Sequence, residues 1–313
     1  MKVGFFGNVK KEMLEEVEAL GYTAKQVSKK DIKEKNYDRD FDIICGSLLF
    51  NLVNLEEFEK LKYIFLFSQG VDYMPLDYLK EKGITLTNNK GAYAEPIGEF
   101  IVYSLLAMEK MAKTNIKNQE NKKWAPRATT GNLYNKKALF LGTGDIAQEG
   151  AKRLSGFNME IVGYNTNGRE VEHFNRCVDL EHLDQELKTS EIVVMVLPST
   201  EKTKEFLDDE RFSKLKDGVT FVNIARGDVV DEKALIKHLQ NGKIKYAALD
   251  VFEKEPLSED SPLWDMENVY ITPHISGTAE DTEERFFRNA WANLHALAEN
   301  KELVNIVDLE KKY

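Results

Sequence analysis

Residues 138–147 read Ala138-Leu139-Phe140-Leu141-Gly142-Thr143-Gly144-Asp145-Ile146-Ala147. A short apolar run ends at one glycine, a second glycine follows two positions on, and a small residue comes three after that. This is the pattern G-x-G-x-x-A of a strand that turns sharply into a helix. Gly142 permits the tight turn, and Ala147 lets helix and strand pack closely. Gly144 lets an anionic group approach the backbone at a helix N-terminus, where free N–H groups and the helix dipole favour negative charge. The stretch therefore reads as the first turn of a doubly wound sheet, with a dinucleotide pyrophosphate as the ligand it suits.

The alternation of elements extends in both directions from this turn. Downstream, apolar runs over 138–141, 161–164, 192–197, 220–223, 246–249 and 269–272 read as six strands, with helices between most of them. Six parallel strands with right-handed crossovers make a Rossmann-type sheet. Upstream, strands are expected over 2–6, 41–45, 63–67 and 84–87, and helices over 11–20, 52–61 and 75–81. That alternation also implies a mostly parallel sheet covered on both faces. Residues 95–111 form a long apolar-rich helix. The stretch 110–137 holds eight Lys or Arg, one acid (Glu120) and a lone Trp124, and reads as an extended arm and linker. A closing helix over 281–299 is expected to pack back on the first domain.

Composition sets the outer bounds. A chain of 313 residues suits two domains. Apolar residues make up 42% and the mean hydropathy is −0.44, as in a water-soluble globular protein. No apolar run approaches the roughly 20 residues of a membrane span, so no membrane partner is expected. The formal charge of −10 argues against a nucleic-acid binder. The N-terminus carries no secretory pattern. Cys45 and Cys177 lack metal-type spacing and read as reduced packing residues of a cytoplasmic protein, with no metal site.

A residue that reads the ribose of a bound dinucleotide should lie about 20 positions beyond the glycine turn. Counting 21 from Gly144 gives Asn165, in Gly163-Tyr164-Asn165-Thr166-Asn167-Gly168-Arg169. An NAD enzyme places a carboxylate here, which repels a 2′-phosphate. A neutral Asn165 with Arg169 nearby favours NADP over NAD. The plainer reading is a tight turn at Asn167-Gly168 with Arg169 in solvent.

Three further strand ends carry polar chemistry. Phe221-Val222-Asn223-Ile224-Ala225-Arg226-Gly227 ends in an arginine. Ala248-Leu249-Asp250-Val251-Phe252-Glu253-Lys254-Glu255-Pro256 ends in acids. Val269-Tyr270-Ile271-Thr272-Pro273-His274 ends in a histidine. Ligands of open α/β sheets bind outside the carboxyl ends of the strands, so Arg226, Glu255 and His274 are delivered to one crevice. These motifs resemble the D-isomer-specific 2-hydroxyacid dehydrogenase family, which includes phosphoglycerate, glyoxylate/hydroxypyruvate and D-lactate dehydrogenases. Gln69-Gly70-Val71-Asp72, residues 94–99 and Val196-Leu197-Pro198-Ser199-Thr200-Glu201-Lys202-Thr203 are also similar to the family.

The resemblance implies an α/β fold of two Rossmann-like domains. A flavodoxin-like substrate-binding domain would take residues 1–98 and 288–313. A doubly wound dinucleotide-binding domain would take 99–287, including the helix and arm of 99–136. It implies a catalytic set of Arg226, Glu255 and His274 for NAD(P)-dependent interconversion of a 2-keto acid and its D-2-hydroxy acid. Arg226 would hold the substrate carboxylate with its planar fork. His274 would move the proton, and Glu255 would orient it and favour its protonated form. Cofactor contacts are implied at Gly142, Gly144, Asp145, Ile146, Asn165, Thr166, Arg169, Leu197, Pro198, Thr203 and Ala225, and Asp250 resembles the residue that positions the nicotinamide. Leu48, Gln69 and Gly70 would contact the substrate, with backbone N–H groups near Gln69-Gly70 on its carboxylate. In the family, the region of the 95–111 helix and the arm embraces a partner subunit, which implies a homodimer with Trp124 as an apolar anchor. Asp145 stands where many relatives have a basic or neutral residue, and it is expected to cap the helix instead. Two other readings stay open at this point. One is a formate dehydrogenase, disfavoured because those relatives carry an amide where this chain has Glu255. The other is a dinucleotide-sensing, corepressor-like protein without significant turnover.

Overall fold

The computed structural model describes residues 1–47, 52–126 and 129–310. They divide into two compact units, Met1–Tyr93 with Ala279–Tyr313, and Ala94–Thr278. Both are α/β units built on a parallel sheet.

The first unit carries β1 (Lys2–Phe6), β2 (Thr23–Val27), β3 (Ile43–Gly46), β4 (Tyr63–Leu66) and β5 (Thr85–Thr87) in the order β2-β1-β3-β4-β5. This is the flavodoxin-like order. Its helices are α1 (Lys11–Ala19), α2 (Lys29–Glu34) and α3 (Leu76–Lys82), and the chain returns to it in α10 (Thr282–Ala298). The inner strands are buried on both faces, as parallel strands must be when helices cover them. Phe287, Ala290 and Leu294 of α10 complete the core over Val3, Phe5, Ile43, Cys45 and Phe65. Residues 52–61 do not form the expected helix. They hold a 3-10 turn, Leu55–Glu57. Val53, Leu55, Phe58 and Leu61 are all buried, and Phe58 stacks in an aromatic cluster with Phe6, Tyr37 and Phe41. The apolar spacing that suggested a helix serves an irregular segment packed flat on the core.

The second unit opens with α4 (Ala94–Glu109) and α5 (Ala112–Glu120). The second of these lies inside the stretch expected to be an extended arm. Lys113 of α5 donates to the carbonyls of Met266 (2.8 Å) and Val269 (3.2 Å), and Lys117 bonds Glu267 (3.0 Å), which seats the helix on its own unit. The sheet then runs through β6 (Lys137–Leu141), α6 (Asp145–Leu154), β7 (Glu160–Tyr164), β8 (Arg176–Val178), α7 (Leu180–Thr189), β9 (Ile192–Met195), α8 (Asp209–Lys214), β10 (Val219–Asn223), α9 (Glu232–Gln240), β11 (Ile244–Leu249) and β12 (Val269–Ile271). The order β12-β11-β10-β9-β6-β7-β8 is the doubly wound arrangement. It has seven strands where the sequence suggests six, the addition being the edge strand β8. One face packs Leu139, Leu141, Val193 and Phe221 against Leu183, Leu187, Phe212, Leu235 and Leu239 of α7, α8 and α9. On the other face α4 meets α6 so closely that a Cβ at Gly98 would lie 3.0 Å from Glu149, and one at Gly150 would lie 2.9 Å from Ile101.

Cys45 and Cys177 are free and buried. Burial pushes both thiols up, so neither has the thiolate character of a reactive cysteine. Among the described residues no helix is long and apolar enough to cross a membrane.

Candidate active site

The carboxyl end of β6 turns at Gly142, whose φ of +115° puts it in the left-handed region. A Cβ there would also stand 3.0 Å from the Val196 carbonyl oxygen. The protein itself therefore requires glycine at 142. Gly144 is different. It is the N-cap of α6 with φ −72°, and a Cβ built on it would meet no protein atom within 4 Å. Nothing in the fold excludes a side chain at 144. Its absence leaves open space at the first turn of a ten-residue helix, over N–H groups that no side chain caps. A pyrophosphate fits this cradle on both counts. Ala147 is fully buried. Asp145 does not cap α6, because Gly144 holds that position. It is the first helical residue, where its charge suits the helix dipole.

The second strand of the motif, β7, ends at Tyr164, and Asn165, which follows it, is 6% exposed. Its side chain is turned inward. Nδ2 donates to the Arg169 carbonyl (2.9 Å) and to Thr143 Oγ1 (3.3 Å), and Oδ1 accepts from the Arg169 N–H (3.1 Å). Asn165 thus builds the 165–169 turn, and what the turn presents to solvent is Thr166, Asn167 and Arg169. The Arg169 guanidinium lies 3.4 Å from Asn167 Oδ1. Farther along the sheet edge, Thr203 accepts from the Thr200 N–H (2.8 Å) and donates to the Pro198 carbonyl (2.6 Å), closing the loop after β9. Ile146 and Leu197 are half-buried, Pro198 is exposed and Ala225 is buried.

Arg226, Glu255 and His274 follow three strands that are neighbours in the sheet, β10, β11 and β12. A Cβ at Gly227 would overlap the Phe252 carbonyl group, so only glycine lets the chain after β10 lie this close to the loop that carries Glu255. Arg226 is half-buried, and its Nη1 donates to the Ala225 carbonyl (2.8 Å). The Glu255 carboxylate is held from two sides. Oε1 accepts from the Phe252 N–H (3.1 Å), and Oε2 lies 2.8 Å from His274 Nδ1. The His274 side chain is 47% exposed. Because Nδ1 faces a carboxylate, Nε2 is the nitrogen left to serve a ligand.

His274 sits at φ +54°, a conformation that a non-glycine residue holds only when its surroundings enforce it. Asp250 supplies that enforcement. It is 1% exposed. Its carboxylate accepts from Thr272 Oγ1 (2.6 Å), the Ile275 N–H (2.9 Å) and the Ser276 N–H (2.9 Å), and its carbonyl accepts from the His274 N–H (2.9 Å). In this structure the carboxylate has a structural task. Both oxygens are engaged inside the loop that presents His274. Thr272, which the sequence reading passes over, belongs to the same support, and its place between a strand and a histidine is the only hint it offers.

In the first unit, Gln69 and Gly70 follow β4. The Gln69 Oε1 atom is enclosed without a hydrogen-bond partner among the described residues. Ser68 Oγ pairs with the Tyr73 hydroxyl (2.6 Å) and donates to the Gly70 carbonyl (3.1 Å). Leu48 lies outside the described residues.

Residues 102–276 match the family description "D-isomer specific 2-hydroxyacid dehydrogenase, NAD binding domain", and residues 3–132 match "D-isomer specific 2-hydroxyacid dehydrogenase, catalytic domain". The chain is 33% identical over 304 residues to a glyoxylate reductase of Thermofilum pendens, a match covering 91% of this chain and 88% of that one. It is 32% identical over 278 residues to a hydroxypyruvate reductase of Thermotoga maritima, covering 88% and 90%. A solved D-isomer specific 2-hydroxyacid dehydrogenase family protein from Aeromonas salmonicida superposes with a TM-score of 0.87 at 26% identity, covering 98% and 99% of the two chains. A family member from Xanthobacter autotrophicus, solved in complex with NADPH and MES, gives 0.81 at 25% identity, covering 100% and 99%.

Proposed function

The chain belongs to the D-isomer specific 2-hydroxyacid dehydrogenase family, and from that premise we propose that it interconverts a small 2-keto acid and its D-2-hydroxy acid, with NADP preferred to NAD. The observation that carries this reading is the His274–Glu255 pair at 2.8 Å, set one strand from Arg226 at the carboxyl edge of a dinucleotide-type sheet. The names of the relatives, glyoxylate reductase and hydroxypyruvate reductase, support a small 2-keto acid as substrate.

A dinucleotide held here would supply the chemistry of hydride transfer to a carbonyl carbon. Gly142, Gly144 and the first turn of α6 would hold its pyrophosphate. Arg226 binds the substrate carboxylate through its fork and polarises the ketone. His274 Nε2–H gives its proton to the carbonyl oxygen as the C–H bond forms, and in the reverse direction the neutral ring takes the hydroxyl proton back. Glu255 holds Nδ1 and so fixes which nitrogen faces the substrate. Backbone N–H groups at Gln69 and Gly70 receive the carboxylate. A panel of 2-keto acids assayed with NADPH and NADH by nicotinamide absorbance tests the reading. Oxidation of the cofactor by at least one of them is expected. Cofactor binding without turnover of any would favour the sensing protein instead.

The cofactor preference rests on the exposed Arg169 and on the missing carboxylate at 165. Arg169→Ala should lower kcat/KM with NADPH about tenfold, the scale of one charge-assisted hydrogen bond, and leave kcat/KM with NADH nearly unchanged. Equal losses with both cofactors would refute the assignment.

Assembly as a homodimer is part of the same proposal. Trp124 is 95% exposed and Ile116, Tyr103 and Tyr134 are more than half exposed. All four belong to α4, α5 and the segment that follows. Aromatic side chains left this open are natural interface anchors, and a two-fold contact is the commonest closed assembly. Light scattering at micromolar concentration should give twice the mass of 35.9 kDa, and Trp124→Ala should move the population toward monomer. A monomeric wild type contradicts the proposal.

A further inference from the structure

The loop after β4 is held by its carbonyls. The Phe67 carbonyl accepts from Asn89 Nδ2 (3.2 Å) and from the Tyr93 hydroxyl. The Ser68 carbonyl accepts from the Asn89 N–H (2.9 Å), the Gln69 carbonyl from Asn88 Nδ2 (2.9 Å) and the Gly70 carbonyl from Ser68 Oγ (3.1 Å). In a trans peptide the carbonyl of one residue points opposite to the N–H of the next. Three successive carbonyls fixed by Asn88, Asn89 and Tyr93, and a fourth fixed by Ser68 within the loop, each turn the N–H group of the next residue, 68 to 71, the opposite way. Among the described residues none of these four donates to a protein acceptor. A row of N–H groups on one side of a loop is a receptor for an anion.

The two asparagines are themselves fixed by the end of the chain. Asn89 is fully buried, and its Oδ1 accepts from Asn289 Nδ2 of α10 (2.7 Å), which also donates to the Lys90 carbonyl (3.0 Å). Accepting there leaves Asn89 Nδ2 as the group that faces Phe67. The Asn88 N–H donates to the Asn305 carbonyl (3.1 Å), and Asn305 Nδ2 donates to the Lys90 carbonyl (3.1 Å). Ile306 and Val307 then pair with Thr87 and Leu86 along the free edge of β5. Asn88 and Asn89 each use both side-chain donor and acceptor, Asn88 Oδ1 accepting from the Lys90 N–H (3.3 Å), which apolar residues of the same size cannot do.

We infer that Asn88 and Asn89, braced by Asn289 and Asn305, are positioning residues that set the 68–71 N–H groups for the substrate carboxylate. The inference rests on the functional reading above, because that reading sends a carboxylate to this loop. A misdirected loop weakens the hold on the substrate before it touches proton transfer or the dinucleotide. Asn88→Ala should therefore raise KM for the best 2-keto acid of the panel about tenfold, the scale of losing good hydrogen bonds to a charged group. Its kcat should stay within about twofold of wild type, as a purely binding effect requires. Oxalate, titrated calorimetrically in the presence of NADPH, should bind the variant about tenfold more weakly, while NADPH affinity is unchanged. Asn289→Ala removes only the brace on Asn89 and Lys90. It should move KM and oxalate affinity in the same direction, and it serves as the test if Asn88→Ala does not fold. Wild type that neither turns over a 2-keto acid nor binds oxalate overturns the functional reading and this inference with it. Wild type that does both, with KM and oxalate affinity unchanged in folded variants, overturns the inference alone.

Discussion

His274→Ala is expected to lower the turnover of 2-keto acid by about 10²–10⁴-fold, the contribution of a positioned acid–base group. The loss should appear in kcat and in kcat/KM alike, since the proton moves only in the transition state. NADPH affinity should barely change, because the proposed cofactor cradle, at Gly142, Gly144 and the first turn of α6, lies at a different strand end. Reduction draws a proton from His274 and oxidation returns one to it, so both directions should lose rate in this variant. Glu255→Gln keeps the size of the side chain and gives up its charge. It should fall between wild type and His274→Ala, measured as the rate of NADPH oxidation under saturating substrate. Full activity in His274→Ala would remove the proposed chemistry altogether.

Arg226→Lys is expected to cost about a hundredfold in kcat/KM for the keto acid, the scale of losing a bidentate, charge-assisted contact. The ammonium keeps the charge and loses the planar fork. Both KM and kcat should suffer, because the same group is asked to bind the carboxylate and to polarise the ketone. This separates it from Asn88→Ala, where KM alone should move. Initial-rate measurements over a range of keto-acid concentrations distinguish the two patterns. An Arg226→Lys enzyme with unchanged KM would mean that another cation holds the carboxylate.

The strand–glycine–helix passage at 138–147 was enough to read the doubly wound sheet, because apolar runs and glycine turns express burial and backbone sterics directly. What the sequence concealed lies at edges and in side-chain direction. Strand β2, Thr23-Ala24-Lys25-Gln26-Val27, and β8, Arg176-Cys177-Val178, are edge strands with few buried residues, so neither has an apolar run to betray it. Residues 52–61 have helical spacing but spend it on an aromatic cluster around Phe58. Asn165 and Asp250 show the second limit. Spacing places each at the end of a strand, where a ligand is expected. Only the structure shows that their side chains turn inward, to build the 165–169 turn and the His274 loop. The doublet Asn88-Asn89 was equally silent, because its partners Asn289 and Asn305 lie 200 and 217 residues away.

The most direct test of the central claim joins turnover to stereochemistry. A prochiral 2-keto acid such as hydroxypyruvate is added to the enzyme with NADPH, the nicotinamide absorbance is followed, and the hydroxy acid formed is resolved by chiral chromatography. Loss of absorbance with the D enantiomer as the sole product is the expected result. No loss with any 2-keto acid of the panel, or accumulation of the L enantiomer, would contradict the account.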